Sequence, residues 1–349
     1  MADKISRFER TRAARQLAQL AGQGVFLGTS SWKYPGWCGT LYTEDRYQFR
    51  GRFAERRFEA GCLAEYAEVF PTVGVDATYY RFPEPRAIEE LAAQAPVDFR
   101  FSFKVTADIT LKHFPSLPRF GPRAGESNPR YLDAACFVAN FLEPCRPLAS
   151  RLGVLMFEFS RFRATDYARG RDFVAALDAF LGQLPAGWPY AVEIRNPTFL
   201  QPAYFQVLAR HGVSHVFNSW QAMPPIDAQW RLAGCRSAPR CVVARLLLRP
   251  GREYAEAVRR FQPYREIRDP YPEGRAAAIH LIREVLAGRG SSRAFLYVNN
   301  RFEGSALHTI AALLDALVPE PPAREATAPG RSPPRMRPRP DFDFLLITL

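Results

Sequence analysis

The sequence predicts an α/β protein built as a single (β/α)8 barrel with a Pro/Arg-rich C-terminal tail. Short apolar runs of strand length alternate eight times with longer stretches of helical spacing, over about 300 residues. Neither G-x-G-x-x-G nor G-K-[ST] follows the first run, which removes the usual support for an open doubly wound sheet.

The strand candidates, in order, are "VFLGTS" (25–30), "VGVDATYY" (73–80), "FRFSFKVT" (99–106), "LGVLMFEF" (152–159), "YAVEIR" (190–195), "VSHVFNSW" (213–220), "CVVARLLL" (241–248) and "AFLYVNN" (294–300). Each is short, rich in β-branched or aromatic residues and bounded by turn formers. Between them run segments with apolar residues at helical spacing, among them "FEAGCLAEYAEVF", "PRAIEELAAQ", "RDFVAALDAFLGQL" and "AAAIHLIREVLAG". The expected boundaries are a basic N-terminal extension over 1–22, the barrel over 23–318 and a tail over 319–349. The tail has the Pro/Arg bias of a disordered segment, and its end, "DFDFLLITL", has the character to dock on the body.

Composition narrows the function classes. No run of about 18 apolar residues is present to span a bilayer, and the first twenty residues alternate charges where a signal peptide needs an apolar stretch; a cytoplasmic location is expected. The six cysteines form no C-x-x-C pair and the five histidines no H-x-x-x-H pair on a helix, so neither a zinc site nor any other cofactor is expected, although carboxylates leave Mg²⁺ open. The formal net charge of +12 favours anionic partners. Much of it sits in "RYQFRGRFAERR" (46–57), "RFGPRAGESNPR" (119–130) and "RFRATDYARGR" (161–171), in the loops that follow strands one, three and four.

Strand parity locates a site. One face of a barrel strand meets the helices and is apolar, while the other points inward. In "FRFSFKVT" the phenylalanines share one parity and Lys104 the other, so Lys104 points inward near the C-terminal end, where barrel active sites form. It is one of only four lysines among 47 Lys and Arg, so a chain that nearly always chooses arginine has placed a lysine inside a strand. The same argument turns Asp76, Thr78 and Tyr80, and Glu193 with Arg195, inward. Glu158, Asn218, Arg245, Tyr297 and Asn299 follow, from strands apolar on both faces. Three acids (Asp76, Glu158, Glu193) then oppose three bases (Lys104, Arg195, Arg245), either as a structural ion-pair network or as a working site.

The stretches "GTSSWKYPGW" (28–37), "TVGVDATYYRFP" (72–83), "FSFKVTADITLKH" (101–113), "AVEIRNPTF" (191–199) and "YVNNRFEGSA" (297–306) resemble the YecE-like proteins, a family known as domain of unknown function 72. The resemblance spans almost the whole barrel in order and implies a TIM-type barrel; it implies no activity, because the family has none established. Where the family usually has glutamate and asparagine in strand two, this chain has Gly74 and Asp76, and Glu158 stands where glutamine is common. The segment after strand seven, "RPGREYAEAVRRFQPYREIRDPYPEGR", looks like a subgroup feature able to form a lid.

Three functions compete. The first is binding of an anionic small molecule, phosphorylated, carboxylated or nucleotide-like, at the barrel mouth. Arg195 and Arg245 would hold the anion, Tyr80, Asn218, Asn299, Trp32 and Glu158 would line the site, and Glu193, Lys104 and Asp76 would supply acid/base catalysis of a hydrolase or lyase type. Lys104 is either an electrostatic anchor or, with its pKa depressed by neighbouring arginines, a Schiff-base nucleophile. The second is nucleic-acid binding or endonuclease IV-like cleavage, with Trp32, Tyr34, Trp37, Tyr47 and Phe49 stacking on bases. The third is a non-catalytic scaffold or ligand sensor. No membrane partner is expected, and the oligomeric state stays open.

Overall fold

In a computed structural model, which describes residues 7–288 and 292–318, eight parallel strands close into a barrel. They are β1 (Val25–Thr29), β2 (Thr72–Val75), β3 (Arg100–Lys104), β4 (Leu152–Phe159), β5 (Tyr190–Ile194), β6 (Ser214–Ser219), β7 (Cys241–Leu246) and β8 (Arg293–Val298). Each pairs with its neighbours in sequence, and β1 closes the circle by pairing with β8 along its length and with β2 at Thr29–Val73. The tail, with its proposed docking end, lies outside the described residues.

Outer helices shield the strands. They include α1 (Arg10–Gly22), α2 (Glu55–Ala67), α3 (Pro85–Ala93), α4 (Gly170–Leu181), α5 (Pro202–Arg210), α6 (Tyr254–Phe261), α7 (Pro272–Ala287) and α8 (Ala306–Leu317). The first of these corrects the boundary at residue 22. Far from forming an extension, α1 buries Ala13, Leu17 and Leu20 in the main core, and its buried Gln16 donates to the Val318 carbonyl at 2.7 Å. The basic residues that suggested an extension occupy the solvent side of an amphipathic helix.

Parity holds where the strands do. A separate apolar cluster of Phe26, Val154, Met156, Val216, Val243, Phe295 and Tyr297 fills the barrel interior, all at inward parity. Above it the Tyr297 hydroxyl bonds Ser102 Oγ and Thr72 Oγ1. Ser102 Oγ in turn accepts from the Val154 amide at 2.8 Å, at a register shift between β3 and β4. The approach requires glycine at 153, where a Cβ would lie 2.5 Å from Ser102 Oγ.

Strand two is shorter than its sequence suggests. It stops at Val75, and Asp76 takes helical backbone angles that begin a 3-10 turn over Ala77–Tyr79. Thr78 Oγ1 donates to the Val75 and Lys104 carbonyls, and Thr106 Oγ1 donates to the Thr78 carbonyl at 2.8 Å, so the turn is stitched to the end of β3. β-branched and aromatic residues had disguised the turn as strand.

The long segment after β7 is fastened to the body. Phe261 and Tyr264 pack with Leu247 and Leu248. The Glu303 carboxylate accepts the Tyr271 amide at 2.6 Å, and its carbonyl accepts the amides of Arg268 and Asp269. Gly36, in the loop after β1, lies so close that a Cβ there would sit 1.8 Å from the Pro263 carbonyl oxygen.

Candidate functional site

Barrel closure brings all six predicted charges together at the C-terminal ends of the strands. Glu158 Oε2 is the hub: Lys104 Nζ lies 2.6 Å away, an Arg195 nitrogen 2.8 Å and an Arg245 nitrogen 2.9 Å. Glu193 spans the two arginines, with Oε1 3.1 Å from Arg195 and Oε2 2.6 Å from Arg245. Asp76 closes the set at 3.4 Å from Arg245. The partner of Lys104 is therefore Glu158. Asp76 is the most accessible of the six, with 32% of its side chain exposed, against 11% for Lys104 and 0% for Glu193.

Such burial decides the protonation states. Desolvation opposes the Glu158 charge, but Arg195, Lys104 and Arg245 outweigh it and hold the carboxyl well below the usual carboxylate range. Burial also pushes the Lys104 ammonium below the ordinary lysine value, opposed by Glu158 and Asp76 and reinforced by Arg245 and Arg195. Glu158 is thus a fixed anion, and Lys104 is the member whose proton is loosened.

Two aromatic rings cover the cluster. Lys104 Nζ sits 3.7 Å from the centroid of Tyr79, the last residue of the stitched turn. Arg195, just past β5, stacks its guanidinium 3.7 Å from the Trp220 ring. Both contacts have cation–π geometry, which replaces part of the lost hydration. Parity missed Tyr79 and selected its neighbour: Tyr80, expected to point inward, is 60% exposed and lies outside the strand, because the helical turn exchanges the two residues' directions.

The other expected lining residues divide. Asn218 is buried inward but its amide donates to the Ile194 carbonyl at 3.1 Å, leaving Oδ1 without a partner. Asn299 caps the turn beyond β8 by accepting the Arg301 amide at 3.0 Å. Trp32 is 5% exposed within the main core and forms part of the wall of a cleft of about 610 Å³ that runs from Asp76 between α2 and α3. Trp37 and Tyr47 are also core residues, 1% and 2% exposed, so they are not free to stack on bases as the nucleic-acid reading required. Phe49 alone of that aromatic set is largely exposed.

Arg301 is a site residue that the sequence pattern did not single out. It follows β8 at the mouth, partly buried, with its guanidinium carbon 4.6 Å from the Tyr254 ring and Tyr34 and Tyr264 beside it. Tyr34 also senses Asp76, and burial pushes its hydroxyl up to about 12. Among the described residues Arg301 makes no ion pair, unlike every cation of the central cluster. Its only sequence signal was a charge two residues past the inward Asn299, in a motif whose tyrosine partners lie in distant segments.

Among the described residues no three His, Cys, Asp or Glu side chains converge as a metal-ligand set, and the oxygens of Glu158 and Glu193 that face the centre are taken by cations. No helix among them is long and apolar enough to cross a membrane.

Comparisons with known proteins agree with this architecture. The model of the family described as "Protein of unknown function DUF72" matches residues 26–333. The UPF0759 protein YecE of Escherichia coli K12 is 28% identical over 175 residues, and the same figure holds for YecE of Escherichia coli O157:H7. Those alignments cover 50% of this chain and 50% of the relative, so the chain spans about half the length of the curated relatives it matches. Among solved structures, a DUF72 family protein from Enterococcus faecalis V583 superposes with a TM-score of 0.56 at 19% identity, covering 84% of this chain and 94% of that one. One from Thermotoga maritima MSB8 gives 0.55 at 18%, covering 84% and 98%. At such identities the likeness establishes the fold.

Proposed function

The chain belongs to the DUF72 family of proteins of unknown function, and from that premise we propose that its barrel mouth binds a small anionic molecule, with Lys104 exchanging a proton with it. The observation that carries the reading is the contrast between a charge-matched cluster and the unmatched Arg301 at its rim. Three acids neutralise three bases at the centre. Apolar side chains would fill that volume without the desolvation cost, so the cluster is not explained by packing.

The geometry redistributes the roles. Arg195 and Arg245 are committed to Glu158 and Glu193, so they shape the site and set its field. Glu193, with both oxygens engaged, is a positioning residue for the two arginines. Arg301, with no carboxylate to displace, anchors the anion at least desolvation cost. Asp76, half-buried at the end of the large cleft, accepts from a ligand hydroxyl or amine. Lys104 holds a loosened proton above a fixed carboxylate, which suits general acid catalysis at the mouth.

A thermal-shift and calorimetric screen of carboxylated and phosphorylated small molecules at low ionic strength tests this. A ligand that stabilises the wild type should lose affinity by about tenfold or more in Arg301→Ala, as loss of one charge-assisted contact predicts. If no anion in such a collection stabilises the wild type, or if Arg301→Ala binds the ligand as well as the wild type, the reading is wrong.

A further inference from the structure

A second basic site lies between the loops that follow β3 and β4, apart from the Lys104 cluster and from Arg301. It is a cavity of about 70 Å³ whose wall includes Thr110, Lys112, His113, Ser160, Arg161 and Arg163. That is room for a few waters or one tetrahedral oxyanion.

Its charge is unbalanced in one direction. Among the described residues Asp166 is the only carboxylate lining it, and both its carboxylate oxygens are taken by groups of the two flanking loops. Oδ1 pairs with His113 Nδ1 at 2.6 Å, Oδ2 accepts the Arg163 amide at 2.7 Å, and the carbonyl accepts Lys112 Nζ. Among the described residues Lys112 therefore has a carbonyl and the Tyr167 ring, 3.9 Å from its ammonium, as neighbours, and no carboxylate. Arg161 and Arg163 make no ion pair among the described residues. Thr110 is fully buried in the wall, and its hydroxyl has no hydrogen-bond partner.

Both walls are held rigid from behind. Buried Asn128 donates to the carbonyls of Asp108 and Leu111, and its amide bonds the Lys112 carbonyl, fixing the loop after β3. Buried Asn196 accepts the Phe162 amide at 2.8 Å and donates to the Phe162 carbonyl at 3.1 Å, fixing the loop after β4. With the loop backbones fixed, only the side chains have to lose freedom when an anion enters.

We infer that this cavity is a phosphoryl-group site, in which Lys112, Arg161, Arg163 and His113 Nε2 face the oxygens of a phosphate or phosphomonoester. A dianion neutralises the surplus positive charge that three cations leave over one internally satisfied carboxylate. His113, held at Nδ1 by Asp166, presents Nε2 as its remaining polar atom.

Inorganic phosphate is the probe, titrated into the full-length protein at low ionic strength and followed by phosphorus NMR and calorimetry. Saturable binding is expected in the wild type. The double variant Arg161→Ala/Arg163→Ala, which truncates two exposed side chains and leaves the loop backbone bonds in place, should bind about tenfold more weakly or worse. Lys112→Met should weaken binding similarly, while Arg86→Ala, on the exposed face of α3, should bind as the wild type does. Circular dichroism verifies that each variant is folded. The inference is overturned if the wild type shows no saturable binding at millimolar phosphate, or if the double variant binds with wild-type affinity.

Discussion

Replacing Glu158 by glutamine tests the central cluster most directly, because one oxygen receives all three cations. Arg195 would keep Glu193 at 3.1 Å, and Arg245 would keep Glu193 at 2.6 Å and Asp76 at 3.4 Å. Lys104 would keep no carboxylate within contact, since Glu158 is its single ion-pair partner among the described residues. Removing one partner of a buried pair costs about 3–5 kcal/mol. The lower end, about 3 kcal/mol, is expected, because the amide oxygen of glutamine still accepts from Nζ and the amine escapes part of the cost by losing its proton.

That escape has a pH signature. Already lowered in the wild type, the folded-state pKa of Lys104 falls further in Glu158→Gln, while the unfolded value stays near about 10.4. Between the two values the unfolded chain binds the extra proton, so the variant's stability rises with pH across that window. Urea denaturation should thus show a destabilisation of about 3 kcal/mol near pH 7 that shrinks toward about pH 10, with an unchanged m-value. Adding Lys104→Met should restore most of the loss at about pH 7, since no buried charge is then unpaired. A destabilisation below about 0.5 kcal/mol, or one that is the same at both pH values, would refute the assignment of Lys104 and Glu158 as a buried charged pair.

Other expectations concern the frame around that cluster. Tyr79→Ala should cost about 3 kcal/mol by removing a buried ring from above Lys104, whereas Tyr80→Ala should stay within about 0.5 kcal/mol; equal effects in denaturant melts would contradict the turn at the end of β2. Gly153→Ala forces a Cβ to 2.5 Å from Ser102 Oγ and 2.9 Å from the Phe295 ring, so a loss of about 1–3 kcal/mol is expected; a neutral result would deny the close approach. Burial pushes His215 down to about 4, so below about pH 6.5 the unfolded chain takes up a proton that the folded one refuses. The wild type should lose about 3 kcal/mol from this group as pH falls from about 6.5 to 4, and His215→Gln should lack that part of the slope; identical slopes would show that His215 is not held neutral.

Much of the architecture was legible because strand alternation is local. A residue's direction in a strand follows from its parity alone, so Lys104, Glu158, Glu193 and Arg245 could be turned inward before any partner was known. The reasoning failed where the backbone left the strand. At Asp76 the chain turns helical, so Tyr79 takes the inward place assigned to Tyr80. Trp32, Trp37 and Tyr47 resembled a stacking surface only while their burial was unknown.

By itself, then, the sequence determined the eight-fold alternation, the family and the set of six inward charges, all properties of short windows or of residue order. The tertiary structure alone decided how those charges pair. Arg245 meets Glu158 across 87 residues and Asp76 across 169, and barrel closure, which no local pattern encodes, sets those encounters. It also decided that Arg301 stands among tyrosines from separate segments with no ion pair among the described residues, and that Asp166 is taken up by groups of two neighbouring loops. Whether a charge is matched or left over depends on which distant groups reach it, and that is a property of packing.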